Sequence, residues 1–98
     1  MPKQKSSTVA TVLKKRSQRY GAFFDHAIIA QSLQDAMRAA PGWFRLAPDQ
    51  KECFCMLSHK IARILNGDSN YLDSWVDCAG YVQLVIDRLE KEAGDAKA

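Results

Sequence analysis

Lysine, arginine, aspartate and tyrosine side chains recur at helical spacing in the second half of this 98-residue chain. Asp73, Asp77 and Tyr81 lie at successive i, i+4 positions, and Lys60 and Arg63 share a stripe earlier in the chain. Carboxylates can hold a cation or a base, and ammonium and guanidinium groups suit phosphate. We therefore take all five as candidate ligand-binding residues, with Asp73 and Asp77 as candidate metal ligands.

A helical hairpin would bring these residues together. The turn at 66–68, Asn-Gly-Asp, separates two segments of helical apolar periodicity, and helices joined by so short a turn usually pack antiparallel. Residues equidistant from the turn then face each other, which pairs Lys60 with Asp77 and Arg63 with Asp73. Two interpretations stay open, namely interhelical salt bridges that fix the hairpin or a polar pocket for a ligand.

Glycine and histidine residues add two further expectations. Gly80 costs about 1 kcal/mol relative to alanine inside a helix, so we expect a neighbouring helix or ligand to approach closely beside Asp77 and Tyr81. His26 and His59 fall on separate helices without a carboxylate at metal-ligand spacing, so we predict no metal pair there.

Four helices account for the periodicity of the chain, and no alternating run of strand length appears. Residues 43–46 are too few and too aperiodic for an element, and predict an apolar connection held to the core by its aromatic rings. The fold class is all-α, a single-domain four-helix protein built on a long antiparallel hairpin. The predicted helices run from Ser7 or Thr8 to Tyr20-Gly21, from Phe23 or Phe24 to about Ala39, from Pro48 to Asn66, and from Tyr71 or Leu72 to a polar tail at Gly94.

The two long helices each carry an apolar stripe, the face that an amphipathic helix usually turns to the core. The third helix has Phe54, Leu57, Ile61, Ile64 and Leu65, and the fourth has Leu72, Trp75, Val76, Ala79, Val82, Ile86 and Leu89.

The length of the chain suits one domain. We divide it into a flexible basic N-terminus (1–7), a helical domain (8–92) and a flexible C-terminal tail (93–98). The mean hydropathy is -0.29 and no apolar run approaches the roughly 18 residues of a membrane span, so we expect no membrane partner. The basic start lacks the apolar stretch of a secretory signal, and Cys53, Cys55 and Cys78 lack a Cys-x-x-Cys pair. We expect reduced thiols and a location in the cytoplasm of a bacterial host cell.

A basic block in the first helix and one tryptophan are candidate partner-binding residues: Lys14, Lys15, Arg16, Arg19 and Trp43. The block has no interleaved aromatics and no helix-turn-helix signature, so we do not expect specific nucleic-acid binding. Four short helices leave apolar side chains such as Phe23, Trp43 and Trp75 that a monomer does not cover, and we expect a homo-oligomer.

Three motifs carry a resemblance to a known family. They are RYG-x-F at 19–23, HKIARILNGD at 59–68 and DSW-x-D-x-AGY at 73–81. From about Val12 to Leu89 the chain resembles a phage and prophage family of uncharacterised small proteins. It is more remotely similar to MazG-like, all-α nucleotide pyrophosphohydrolases, which hold magnesium with Glu-x-x-Glu on one helix and Glu-x-x-Asp on the next.

The resemblance implies a nucleotide ligand and makes magnesium a possible cofactor. However, Asp73 and Asp77 are spaced by four residues rather than three, and Lys60 and Arg63 stand where the other acidic pair would be. We therefore lean against catalysis, since magnesium would need ligands from a second subunit or from the nucleotide. Two functions stay open with equal weight. One is a helical protein that binds or processes nucleotides through the charged seam that Lys60, Arg63, Asp73 and Asp77 form between the third and fourth helices, and the other is a non-enzymatic phage protein that binds and modulates or inhibits a host protein or complex.

Overall fold

The computed structural model describes residues 2–97, and it describes the side chains of residues 8–96. Met1 and Ala98, which belong to the predicted flexible ends, lie outside the described residues. Residues 2–97 contain no strand, so the predicted all-α class is confirmed. The elements are α1 (Pro2–Tyr20), α2 (Phe23–Ala39), a 3₁₀ helix (Pro41–Arg45), α3 (Pro48–Asn66) and α4 (Leu72–Lys97).

Local chemistry sets the helix boundaries. Pro48 occupies the first turn of α3, and the Gln50 side chain accepts a hydrogen bond from the Ala47 N–H at 2.8 Å, which satisfies one backbone donor that α3 leaves free. The predicted bounds of α2 and α3 are confirmed. Helix α1 begins before the predicted cap at Ser7 or Thr8, and α4 continues past Gly94 through the predicted tail.

The connection between α2 and α3 corrects the sequence interpretation. Residues 41–45 form a 3₁₀ helix, because Pro41 starts the turn and the Leu46 N–H closes it on the Trp43 carbonyl at 3.1 Å. The aromatic rings were expected to hold this segment to the core. Trp43 is half-buried, but the Phe44 ring is 82% exposed.

The α1–α2 turn and the α3–α4 turn meet at what we call the turn junction, residues 19–22 and 66–68. The Asn66 side-chain amide donates to the carbonyls of Tyr20 and Ala22, at 3.0 and 2.9 Å. The Asp68 N–H donates to the Arg19 carbonyl at 2.7 Å. Two of the motifs found in the sequence, at 19–23 and 59–68, therefore contact each other through their backbones.

Helix α3 is the centre of the fold and packs against both α2 and α4. Within residues 8–96 the fully buried hydrophobic residues are small: Ala30, Cys53 and Ala62. A polar contact lies among them, because the Gln34 amide donates to the Ser58 hydroxyl at 3.0 Å and that hydroxyl donates to the Cys55 carbonyl at 2.6 Å. The core is narrow, and it lets α2 and α3 approach closely.

Helix α4 turns a different face to α3 than its sequence predicts. The residues of α4 that are buried or half-buried are Ser74, Cys78, Tyr81, Val85 and Arg88. The apolar stripe of α4, which was expected to face the core, is exposed on the surface. Leu72 is 69% exposed and Trp75 is 54% exposed. The prediction that this stripe fills the core is therefore wrong. The chain measures 61 × 29 × 29 Å, and its radius of gyration is 17.6 Å against about 13 Å for a compact domain of this length.

Candidate functional site

The charged seam between α3 and α4 forms one of its two predicted ion pairs. The Lys60 ammonium lies 2.7 Å from an Asp77 carboxylate oxygen, and the side chains are 13% and 47% exposed. This pairing confirms the antiparallel alignment of the hairpin. Asp77 thus neutralises the lysine that we proposed for phosphate.

The second predicted pair, Arg63 with Asp73, is wrong. No ion pair joins them within the described side chains; the Arg63 guanidinium instead lies over the Tyr20 ring, 4.6 Å from its centroid. Asp73 accepts a hydrogen bond from the Tyr71 hydroxyl at 3.0 Å, and this bond is the main cause of a raised pKa of Tyr71. Arg63 therefore belongs to the α1 side of α3, away from the seam.

The sequence analysis did not predict a second ion pair between α3 and α4. The Arg88 guanidinium donates two hydrogen bonds to the Asp49 carboxylate, at 2.7 and 2.9 Å, a geometry typical of arginine–carboxylate pairs. These bonds lower the pKa of Asp49 and raise that of Arg88. The sequence could have predicted this pair, because the midpoint between Asp49 and Arg88 in the chain is the same as the midpoint between Lys60 and Asp77.

Tyr81 faces a small cavity at the middle of the hairpin rather than the Lys60–Asp77 pair. The cavity holds about 240 Å³, and Tyr81 lines it together with Glu52 and Met56. Gly80 beside it does not mark a close approach, because a Cβ at this position would meet no atom within 4 Å. The structure thus separates the five candidate residues into four places: only Lys60 and Asp77 stay together.

A larger concavity lies between α1, α2 and α3, and we call it the basic cleft. It holds about 400 Å³. Within residues 8–96 neither of its arginines, Arg16 and Arg63, forms an ion pair with a carboxylate. The charged and aromatic side chains that line it are Arg16, Tyr20, Phe23, His26 and Arg63. This cleft brings one residue of the predicted basic block next to one residue of the predicted seam.

Histidine stacking forms one wall of the cleft. The His26 ring lies between Phe23 and His59, with ring centroids 5.9 and 5.8 Å apart and nearly parallel planes. Burial lowers the pKa of His26 below its ordinary 6.5, and the nearby Arg63 and His59 lower it further. Burial and the two neighbouring groups thus favour the neutral imidazole form of His26. Residue spacing could not predict this stack, since its two histidines lie on different helices.

The other predicted partner residues are dispersed. Arg19 lies over the Tyr71 ring at 4.3 Å and donates to its hydroxyl at 3.2 Å, so it holds the turn junction. Lys14 and Lys15 are exposed on α1. Trp43 does not line the cleft, and the Lys51 ammonium lies 5.9 Å from its ring centroid.

A magnesium ion does not fit the donor set at Asp73 and Asp77. Their carboxylates already contact Tyr71 and Lys60, and the side chains described at 8–96 contain no group of three histidine, cysteine, aspartate or glutamate residues that could hold a metal. Magnesium prefers several oxygen ligands at octahedral positions.

Comparison with known proteins gives a family. The model of a domain of unknown function, DUF6378, matches residues 6–88 and so spans the turn junction, the seam and the basic cleft. The chain belongs to the DUF6378 family. No curated protein and no solved structure matches this DUF6378 chain. Among residues 2–97, no helix combines the length and the apolar character needed to cross a bilayer.

Proposed function

We propose that the protein binds an anionic ligand that carries an aromatic ring, such as a nucleotide, in the basic cleft. The observation that supports this proposal is the position of Arg16 and Arg63 beside the rings of Phe23 and His26. Neither arginine forms an ion pair with a carboxylate among the side chains described at 8–96. A volume of about 400 Å³ lies within the range of small-ligand sites, roughly 300–1,000 Å³.

Each group has a definite task in this proposal. The two guanidinium groups bind phosphate oxygens with paired N–H donors. The Phe23 ring, which is 81% exposed, offers a face on which a base can stack. His26 donates a hydrogen bond from a ring N–H, and a bound phosphate favours protonation of the second ring nitrogen because it offsets the charge of Arg63.

The nucleotide site proposed here is the basic cleft, whereas the sequence analysis placed the nucleotide in the charged seam. Lys60 is held by Asp77, whereas Arg63 points to the cleft and is shared by both hypotheses. The proposal concerns binding alone.

Isothermal titration with nucleoside mono- and triphosphates, with and without magnesium, tests the proposal. We expect Arg16→Glu to weaken nucleotide binding at least tenfold, because it reverses a charge in the cleft. Lys15→Glu is the matched control: it makes the same charge change one residue away on α1, outside the cleft, and should alter the affinity less than twofold. Inorganic phosphate and an uncharged nucleoside should each bind more weakly than the nucleotide.

Two results would contradict the proposal. One is the absence of heat with every nucleotide from a folded sample. The other is equal weakening by the two α1 variants, which would indicate charge attraction without a site. If Lys60→Met abolishes binding while Arg16→Glu does not, the ligand belongs to the seam.

We also propose that the protein acts as a homo-oligomer. Its accessible surface is 7395 Å², whereas a compact monomer of 11.0 kDa exposes about 5,600 Å². The large apolar side chains exposed on all four helices account for part of this difference. Phage origin, the cytoplasmic location and the modulation of a host protein stay predictions.

A further inference from the structure

The outer face of α4 carries a heptad pattern that no other described element covers. We call it the outer seam, and its residues are Leu72, Trp75, Ala79, Val82, Ile86, Leu89 and Ala93. They are spaced alternately by three and four residues, as in the a and d positions of a coiled coil, and all are exposed. A soluble helix usually turns such a stripe to a partner.

The outer seam continues into α3. Val82 and Ile86 line an apolar groove of about 180 Å³ together with Phe54 and Leu46. Phe54, which is 39% exposed, thus extends the apolar surface from one helix of the hairpin to the next. A partner helix on the outer seam would contact both helices.

The chain as a whole exposes enough surface for a second copy. It exposes about 1,800 Å² more than a compact monomer of its mass, and specific interfaces bury about 800 Å² on each partner, or more in obligate dimers. A twofold symmetric dimer offers the same face twice, so the outer seam of one copy meets an equally apolar seam.

We propose that α4 of one copy packs antiparallel on α4 of a second copy through the outer seam, which places two α3–α4 hairpins in one four-helix bundle. This inference rests on the homo-oligomer proposed above and names its interface. The antiparallel direction follows from side-chain size. It sets Trp75 against Ala93 of the second copy and Ala79 against Leu89, whereas a parallel pair sets Trp75 against Trp75 and Ala79 against Ala79. Large residues facing small ones fill an interface evenly.

Sedimentation equilibrium of the full chain over a range of concentrations tests the interface. We expect a dimer of about twice 11.0 kDa. Leu89→Glu should raise the dimer dissociation constant at least 100-fold, because it buries a carboxylate in the apolar seam. Leu84→Glu is the matched control, since Leu84 is on the same helix and is 66% exposed but lies off the outer seam, and this variant should stay dimeric.

Circular dichroism checks that each variant is folded, and Ala93→Glu replaces Leu89→Glu if the latter unfolds. A chain that is monomeric at every concentration overturns both the oligomer and the seam. If the dimer persists in both Leu89→Glu and Ala93→Glu, the outer seam is not its interface. The protein is then a homo-oligomer that associates through another face.

An exchange of sizes tests the direction. Trp75→Ala should weaken the dimer at least tenfold, and the double variant Trp75→Ala, Ala93→Trp should recover most of the affinity, because each new tryptophan fills the space left by the other copy. In a parallel dimer the exchange would not refill that space. A double variant as weak as Trp75→Ala therefore overturns the antiparallel arrangement.

Discussion

The turn junction and the outer seam of α4 differ in what holds them. At the junction the Asn66 side-chain amide donates hydrogen bonds from one turn to backbone carbonyls of the other. Gly21 and Gly67 allow the two turns of the chain to contact each other closely. Along the outer seam apolar side chains stand at regular spacing against solvent, and Gly80 nearby has open space around it.

Glycine is required by close contact in the first region and is not required by any neighbour beside the second. Gly21 has a φ of 78°, and a Cβ there would collide with Asn66. A Cβ at Gly67 would collide with the backbone of Arg19 and Tyr20. These two glycines are required by backbone geometry, whereas Gly80 is not.

Gly67→Ala should cause the largest loss. We expect the free energy of unfolding to fall by about 3 kcal/mol, because the new methyl group would collide with the backbone of Arg19 and Tyr20 and force it to shift. Urea denaturation at a fixed protein concentration measures this loss. An unchanged midpoint would show that the junction is loosely packed.

Asn66→Ala should cost about 2 kcal/mol, since the carbonyls of Tyr20 and Ala22 lose their donor. The same denaturation experiment applies. Asn70→Ala is the control, because the Asn70 side chain is exposed in the neighbouring loop, and it should change stability by less than about 0.5 kcal/mol. Equal effects of the two variants would contradict a role for the amide.

Gly80→Ala should act in the opposite direction. We expect about 1 kcal/mol of stabilisation, because alanine has the better helix propensity and meets no neighbour at this position. Thermal unfolding followed by circular dichroism detects the gain. Destabilisation would indicate that α4 is covered beside Gly80, which would extend the buried surface beyond the outer seam.

Acid should lower the free energy of unfolding through protonation of His26, and this should be the smallest of the four stability effects predicted here. The unfolded chain takes up the proton near pH 6.5, but the folded protein does so only at lower pH because its pKa is lowered. The contribution of His26 to stability is therefore complete above pH 6.5 and is lost as the pH falls through the folded pKa. Denaturation at pH 7 and pH 5 should show a smaller difference for His26→Phe, which keeps a ring in the stack. An equal difference in both proteins would contradict this cause.

Much of the fold was predictable, because helix ends are set by local chemistry. Pro48 and Pro41 mark boundaries that depend on nearby residues alone. The Lys60–Asp77 pair followed from the geometry of a hairpin. The choice of face on α4 did not follow, because a second stripe, through Ser74, Cys78 and Tyr81, has the same spacing and packs on α3. The richer apolar stripe suggested a core where the structure has a surface.

The candidate site was harder to predict than the fold. Arg63 can reach either side of α3, and only the position of α1 decides that it lies over Tyr20. The basic cleft depends on contacts between residues far apart in sequence, such as Arg16 and His26 with Arg63. Periodicity along one helix carries no information about such contacts.

The hydrogen bond between Gln34 and Ser58 gives the narrow core a means of selecting one alignment. Small apolar residues fit against one another in several registers, so they discriminate weakly between helix positions. A shift of α2 by one turn along α3 would separate the amide from the hydroxyl and leave the buried Gln34 N–H without its acceptor, at a cost of roughly 1–3 kcal/mol, whereas Ser58 would keep its bond to the Cys55 carbonyl within α3. This single polar contact thus makes the alternative helix alignments unfavourable, and specificity of folding comes from a penalty on wrong arrangements rather than from added attraction in the right one.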